Sequence, residues 1–158
     1  MIFIGLQNAE KKYEKTRHNV GAILLSQFPK SEDYKIFSND TFMNLSGGFV
    51  KKVLKKENIS TKDDLREKVF VFFDDVTMPV GKYKISVGEG ASSHNGIKSI
   101  IENLGGNNTF TRVRIGVGNE HTPSGEELSD FVLSNLNNLE IVQIKSMAKE
   151  ILDRLTCL

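Results

Sequence analysis

The sequence predicts an α/β fold: a single-domain α/β/α sandwich over residues 1–158, built around a central mixed, largely parallel sheet. Three observations lead to it. Short apolar runs alternate along the chain with segments of helical periodicity. The 158 residues can bury one good core but not the cores of two ordinary domains. A hydrophobic content of 39% with only three prolines argues against a disordered linker.

The strand candidates fall into two groups. Residues 2–6 and 69–73 are short apolar runs rich in β-branched and aromatic side chains, which predicts buried strands. Residues 34–37, 83–87 and 112–117 alternate more between apolar and polar side chains. That pattern predicts strands with one face less protected.

Helical periodicity, with apolar residues recurring every three or four positions, appears in four segments: residues 20–28, 50–54, 97–104 and 141–155. The third segment has the clearest ends. Ser92 and Ser93 are candidate N-caps before it, and Gly105 and Gly106 predict a C-terminal stop after it.

Charge and cysteine content limit the possible function classes. The net charge is only +1, so any nucleic-acid site must be a local patch. The single cysteine, Cys157, excludes an intrachain disulfide and a cysteine-based metal cluster. Residues 1–6 lack the basic segment of a signal peptide, and no apolar run approaches membrane-spanning length. We therefore expect a cytoplasmic protein with no membrane partner, or an organellar one if its source is eukaryotic.

Polar residues follow two of the predicted strands. Asn8 comes after the first strand, and Asp74 after residues 69–73. Ligands of open α/β sheets bind beyond the carboxyl ends of strands, and a carboxylate there can orient an imidazole. His18, at the start of the first helix, is the natural candidate. The alternatives are that Asp74 caps a turn and that His18 is a satisfied helix-terminal residue.

The three histidines, His18, His94 and His121, show no HExxH or comparable spacing. The sequence therefore predicts no metal site and no cofactor.

Five blocks occur in order along the chain: GLQN and YEKTRHNVG within residues 5–21, TFMNLSG at 41–47, FDDVTMPVG at 73–81, SHNGIKSII at 93–101 and RVRIGVG at 112–118. Together they resemble the signature blocks of the bacterial-type peptidyl-tRNA hydrolase family, whose members cut the ester bond between a peptide and its tRNA. One block alone would be weak, but five in the right order argue strongly against chance similarity.

The resemblance implies a role for each motif residue. His18 would be the catalytic base, oriented by Asp74. Three side-chain amides would hold the tRNA 3′ end, the peptide and the attacking water; they belong to Asn8, Asn44 and Asn95. Met43 would form an apolar wall. These residue types suit ester hydrolysis, which needs a base to activate water and donors aimed at the developing oxyanion. Without the resemblance, Asn44 or Asn95 would be interpreted as a turn or cap residue.

A local patch for tRNA is predicted around the helix that opens at His94. Helix N-terminal amides and the positive end of the dipole attract phosphate, and Lys98 follows one turn along. Lys84 and Arg114 would extend this patch. We interpret a denser cationic cluster as a solvated helix face rather than an RNA clamp: Lys51, Lys52, Lys55 and Lys56.

Two stretches depart from the family pattern. Residues 88–93 read GEGASS where the family shows a run nearer GGGHGG, and residues 7–10 lack the usual Asn-Pro-Gly turn although Asn8 remains. Bulkier residues in the first stretch would restrict a loop that flanks the substrate. These departures affect how the substrate is bound and how the loop moves more than they affect the cleavage chemistry.

We therefore expect a monomeric, metal-independent hydrolase that acts on peptidyl-tRNA without a cofactor. One alternative is a catalytically inactive RNA-binding protein on the same fold, because plant organellar intron-splicing factors also resemble these hydrolases. A second is a nucleotide or small-ester hydrolase that has changed substrate.

Overall fold

Strands and helices alternate along the chain in the computed structural model, which describes residues 1–88 and 93–157. The strands in this part of the chain are β1 (Ile2–Gly5), β2 (Lys35–Ser38), β3 (Val69–Pro79), β4 (Tyr83–Val87) and β5 (Thr111–Gly118). The helices are α1 (Val20–Leu25), α2 (Ser46–Lys56), α3 (Lys62–Lys68), α4 (Asn95–Asn103), α5 (Glu127–Val132), α6 (Asn138–Ser146) and α7 (Ala148–Thr156).

The strands form one sheet in the order β2–β1–β3–β5–β4. The first four strands in this order run parallel, and β4 pairs antiparallel with β5. Parallel neighbours require crossover connections, which explains why helices separate most of the strands in sequence. The predicted α/β fold class, with a mixed and largely parallel sheet, is confirmed.

Helices cover both faces of the sheet because each strand alternates its side chains between two apolar layers. Phe3, Phe70 and Phe72 pack in one layer with residues of α1, α6 and α7. Ile4 and Val71 pack in the other with residues of α2, α3 and α4. None of the helices in the described part of the chain has the length and apolar character needed to cross a bilayer.

The expectation that residues 112–117 leave one face less protected is wrong. β5 is almost entirely buried because it lies between β3 and β4 rather than at an edge of the sheet. Arg112 is itself buried, with its guanidinium 5.5 Å from the ring centroid of Phe110. The edge strands β2 and β4 keep exposed positions, as predicted.

The start of α4 also differs from the prediction. Its N-cap is His94, not a serine: Nδ1 of His94 accepts the backbone N–H groups of Gly96 and Ile97. Ser92 lies outside the described residues, as do the other central positions of the loop predicted to be restricted, residues 89–92. The glycine stop is confirmed, since Gly105 and Gly106 follow the helix with φ of 64° and 85°.

The C-terminal segment forms two helices where one is predicted. The break falls at Met147, whose N–H bonds to the carbonyl of Ile144 in a tighter turn than the α-helical one. Both helices still bury the predicted apolar residues, Ile144 on α6 and Ile151 on α7. The short helices α3 and α5 are not predicted by the apolar periodicity.

Candidate active site

A cleft of about 820 Å³ opens at the carboxyl end of β1, where this strand lies beside β3. Gly5, the last residue of β1, pairs with Phe72. Asp74 lies two residues further on, inside β3, which continues along β5 instead of ending at residue 73. The cleft is lined by all six residues predicted to act in catalysis or to hold the substrate: Asn8, His18, Met43, Asn44, Asp74 and Asn95.

His18 lies on a 3-10 turn, Arg17–Asn19, that leads into α1. This helix packs directly on β3, because a Cβ at Gly21 would lie 2.2 Å from the carbonyl oxygen of Phe72. The close approach brings Nδ1 of His18 to 2.7 Å from Oδ1 of Asp74, and both residues are buried. The structure therefore brings the predicted base and its predicted orienting group together.

Asp74 has a second imidazole partner that the sequence patterns do not predict. Nε2 of His94 lies 2.7 Å from the same Oδ1 atom. Because Nδ1 of His94 accepts the N–H groups of Gly96 and Ile97, at 3.1 and 3.4 Å, the ring proton belongs on Nε2. His94 therefore donates to Asp74.

The two imidazoles determine the charge of Asp74. Burial by itself would raise the pKa of Asp74, but attraction from His94 and hydrogen bonds from both rings outweigh burial and hold the pKa well below its usual range. The ionised carboxylate accepts the Nδ1 proton of His18, which leaves Nε2 of that ring as an acceptor. Within residues 1–88 and 93–157, no protein group hydrogen-bonds to this Nε2 atom.

Asn8 is fixed by three hydrogen bonds. Its backbone N–H donates to Oδ1 of Asn19 at 2.8 Å, and its carbonyl accepts from Nδ2 of the same residue at 3.0 Å. Its side-chain Oδ1 accepts the backbone N–H of Met43 at 2.8 Å. The Nδ2 group remains, so Asn8 offers the cleft a hydrogen-bond donor.

The other predicted substrate residues lie on two elements beside this donor. Met43 is buried, and a Cβ added at Gly96 would lie 2.8 Å from its Sδ, so the methionine packs closely against the first turn of α4. Asn44 follows on the 3-10 turn Met43–Leu45, and Asn95 is the first residue of α4. Both asparagines are exposed where they line the cleft.

His18, Asp74 and His94 offer three ligand atoms within 4.8 Å of one another, a spacing that a metal ion could use. The hydrogen bonds of His94 oppose this use. Its Nε2 carries the proton because Nδ1 is an acceptor, so Nε2 has no lone pair for a metal. Metal-binding histidines have the reverse arrangement, with the second ring nitrogen donating. The arrangement suits proton transfer better than metal binding.

The predicted tRNA-binding cations lie on the strands and helix around the cleft. Arg114 lines the cleft and donates from Nε to buried Asp75 at 2.7 Å. Lys84 lies opposite Arg114 in the β4–β5 pair, and Lys98 is exposed on α4. The lysines interpreted as a solvated face are all exposed on α2: Lys51, Lys52, Lys55 and Lys56.

One wall of the cleft is not predicted by the sequence patterns. It comes from α5 and the residue after it, through Leu128, Val132 and Leu133. The i, i+4 spacing of Leu128 and Val132 is the signal that could have indicated this short apolar helix face. For His94, the available signal is its place directly before Asn95 in a motif block.

The chain matches known proteins over most of its length. A family model described as peptidyl-tRNA hydrolase matches residues 27–158. A peptidyl-tRNA hydrolase of Rickettsia bellii is 35% identical, and the alignment covers 99% of this chain and 89% of the relative. The chain belongs to the peptidyl-tRNA hydrolase family.

Further relatives agree with this family assignment. The peptidyl-tRNA hydrolase of Lawsonia intracellularis is 33% identical, with 98% of this chain and 85% of the relative covered. The crystal structure of peptidyl-tRNA hydrolase from Acinetobacter baumannii superimposes with a TM-score of 0.81 at 24% identity, over 99% of this chain and 87% of that one. At that identity the likeness concerns the fold. The similarity to hydrolases does not favour the alternative of an inactive splicing cofactor.

Proposed function

We propose that this protein hydrolyses the ester bond of peptidyl-tRNA and releases the peptide and a reusable tRNA. One observation carries the mechanism: Asp74 fixes the Nδ1 proton of His18, so that Nε2 is an acceptor beside the cleft. A base held in one tautomer by a buried carboxylate is the arrangement that activates water or a hydroxyl in ester-cleaving sites.

The reaction follows from this tautomer. Nε2 of His18 takes a proton from a water molecule, and the water oxygen attacks the ester carbonyl carbon. The tetrahedral intermediate carries its negative charge on the former carbonyl oxygen, which the amide donors of the cleft stabilise. When the C–O bond breaks, the ribose oxygen leaves and takes the proton back from the imidazolium of His18. Asp74 stabilises that imidazolium without accepting its proton.

The amides of the cleft are proposed to hold the substrate. Asn8 offers its Nδ2 donor from a fixed position, which suits either the oxyanion or a carbonyl of the peptide. Asn44 and Asn95 supply both donors and acceptors without charge, suited to the 3′-terminal ribose and the attacking water. Met43 and the α5 residues Leu128 and Val132 supply the apolar surface for peptide side chains.

The tRNA is proposed to lie along the α4 side of the cleft. The side chain of His94 already accepts the N–H groups of Gly96 and Ile97, so a phosphate beside α4 would be attracted by the positive end of the helix dipole rather than by these amides. Lys98 on that helix and Lys84 on β4 would add positive charge, and Arg114 beside Lys84 would contribute through the face of its guanidinium that Asp75 does not occupy. A local patch of this kind is compatible with a net charge of +1.

We also propose that the protein acts as a monomer in the cytoplasm. The six residues proposed to act in the cleft come together within one copy of the chain, which is enough for the proposed chemistry. The protein would encounter peptidyl-tRNA in the compartment where translation takes place.

The activity can be tested with paired tRNA substrates. N-acetyl-aminoacyl-tRNA should be deacylated, whereas the matching aminoacyl-tRNA with a free amino group should be cleaved far more slowly. Tight binding of both tRNAs without cleavage would instead support an RNA-binding protein. Cleavage of small esters without either tRNA reaction would indicate a hydrolase that has changed substrate.

A further inference from the structure

Arg17, the residue directly before His18, has a buried guanidinium. Its NH1 atom donates to the carbonyl oxygen of Val117 and to Oε1 of Glu140, both at 3.0 Å, and NH2 donates to Oε2 of Glu140 at 3.2 Å. The ring of Phe131 packs against the guanidinium with its centroid 4.7 Å away. The side chains of Arg17 and Glu140 are only 8% and 13% exposed. The pair therefore joins the His18 turn to β5, α5 and α6.

A buried ion pair of this kind adds little net stability, because the loss of hydration offsets most of the attraction between the charges. Removing one partner is costly, since the other charge stays buried and unpaired. Within residues 1–88 and 93–157, Nε of Arg17 already lacks a hydrogen-bond partner. The guanidinium thus depends on Glu140, and a geometric role explains the pair better than a purely stabilising one.

The turn that carries His18 is held on both sides of the imidazole. After His18, Asn19 forms two hydrogen bonds with the backbone of Asn8. Before it, the backbone N–H of Arg17 donates to the carbonyl of Ser134 at 3.0 Å. The N–H of Leu136 also donates to the carbonyl of Lys15 at 2.9 Å, and the Arg17 side chain adds a further attachment on that side. Loss of the side-chain attachment would weaken the hold on the residue directly before His18 while the two Asn19 bonds after it stay in place.

Glu140 is itself held in place. Its backbone N–H donates to Oδ1 of Asn137, and its Oε2 accepts the backbone N–H of Asn137, which completes a capping box at the start of α6. The carboxylate therefore presents both oxygens to Arg17 from a rigid helix end. A carboxylate held in this way can fix the position of the Arg17 guanidinium, which a mobile surface carboxylate could not do.

We propose that Glu140 is a positioning residue for the base: through Arg17 it fixes the turn that orients the His18 imidazole toward Asp74. Glu140 does not line the cleft and lies outside the motif blocks. Of the measurements that test this role, only the activity assay depends on the proposed function. It predicts that loss of the pair affects the chemical step more than substrate binding.

The substitution Glu140→Gln tests this role, because glutamine keeps the size and the capping oxygen but loses the charge and one acceptor for Arg17. Glu57→Gln is the control for loss of a similarly exposed carboxylate outside the cleft, whose partner Lys35 is 65% exposed. Glu57 is also 13% exposed, and it pairs with Lys35 near the opposite end of the sheet. Both variants are compared with wild type below the onset of their thermal unfolding.

We expect kcat on N-acetyl-aminoacyl-tRNA to fall by about tenfold or more in Glu140→Gln, with KM within about twofold of wild type. Hydrogen exchange of the His18 Nδ1 proton, followed by NMR in a ¹⁵N-histidine-labelled protein, should be about tenfold faster, because its bond to Asp74 is less well aligned. Glu57→Gln should change neither quantity. If Glu140→Gln does not fold, Arg17→Lys replaces it, since lysine keeps the charge but loses the two-pronged geometry.

An unchanged kcat and an unchanged exchange rate in Glu140→Gln would overturn the positioning role. So would a loss confined to thermal stability, or a change in Glu57→Gln of the same size. If wild type fails to hydrolyse the substrate, the proposed function is wrong, and the exchange rates alone still decide whether Glu140 positions His18.

Discussion

His18 and His94 donate to the same oxygen atom of Asp74, each across 2.7 Å, with their rings 4.8 Å apart. The hydrogen bond from His94 helps to keep the carboxylate ionised, and the ionised carboxylate holds His18 in the tautomer that can accept a proton. We therefore expect the three residues to act as a unit, so that losses from single substitutions will not add.

The first prediction concerns the base. His18→Ala should lower kcat by about 10² to 10⁴, the usual contribution of a positioned general base. Steady-state hydrolysis of N-acetyl-aminoacyl-tRNA measures it, with circular dichroism to verify the fold. A folded variant that retains full activity would exclude His18 as the base.

The second prediction concerns the charge of Asp74. Since its pKa in the fold lies below the value of about 3.9 for an unfolded aspartate, Asp74 stabilises the fold above that pH, and this contribution is lost as the pH falls further. Denaturant unfolding of wild type and Asp74→Asn at pH 5 and pH 3 should show a stability difference that narrows at the lower pH. A difference that stays constant would mean that the pKa of Asp74 is the same in the folded and unfolded states, and one that widens at pH 3 would mean that folding raises it.

The third prediction separates the two hydrogen-bonding roles of His94. Asparagine is a good N-cap but cannot reproduce the imidazole bond to Asp74, so His94→Asn should lose activity while α4 stays capped. His94→Ala should lose the cap as well and destabilise the protein by a further ~0.5–2 kcal/mol. Measured kcat and free energies of unfolding test both. Equal stability of the two variants would contradict the capping role.

The fourth prediction places the tRNA. Lys98→Ala should raise KM for the tRNA substrate and reduce the salt slope of binding by about 0.7 to 0.9, because one phosphate contact is lost. Hydrolysis of a short ester mimic should stay unchanged. The double variant Lys55→Ala/Lys56→Ala is the control on α2 and should show neither effect. The opposite result would place the tRNA on α2.

The fifth prediction is that hydrolysis does not need a metal ion, because the proton on Nε2 of His94 opposes coordination in the His18–Asp74–His94 cluster. Activity should survive prolonged treatment with EDTA, with the folding of the tRNA verified by its melting curve. Loss of activity that a divalent ion restores, with the tRNA still folded, would reverse this view.

The sequence patterns could predict the sheet, and the family resemblance added the pairing of His18 with Asp74 that the patterns had left open. Apolar runs locate the strands, and parallel strands deliver the polar residues after β1 and within β3 to one edge. Periodicity could not predict the bond from His94 to Asp74, because the position of that ring depends on how the first turn of α4 packs in the fold, which is a tertiary contact. The resemblance indicated the neighbouring Asn95 but left His94 without a role.

Other features depend on tertiary contacts that local patterns do not encode. The break at Met147 separates two helices whose apolar residues still recur at helical spacing across it. β5 is buried although its sequence alternates, because its place between β3 and β4 is a property of the whole sheet. The pairing of Arg17 with Glu140, 123 residues apart, leaves no trace in any short segment.

The sequence separation between Arg17 and Glu140 affects when the site can assemble during synthesis. During synthesis Arg17 leaves the ribosome long before Glu140 does. Lys15 likewise leaves it long before Leu136, whose N–H bonds to the carbonyl of Lys15. The turn beside His18 lacks its attachment until Ser134 has been synthesised, and the guanidinium of Arg17 lacks its carboxylate partner until Glu140 has been. A nascent chain that stops before residue 134 would therefore carry His18 and Asp74 and still lack an assembled catalytic centre. The motif residues are complete in the nascent chain well before the enzyme is.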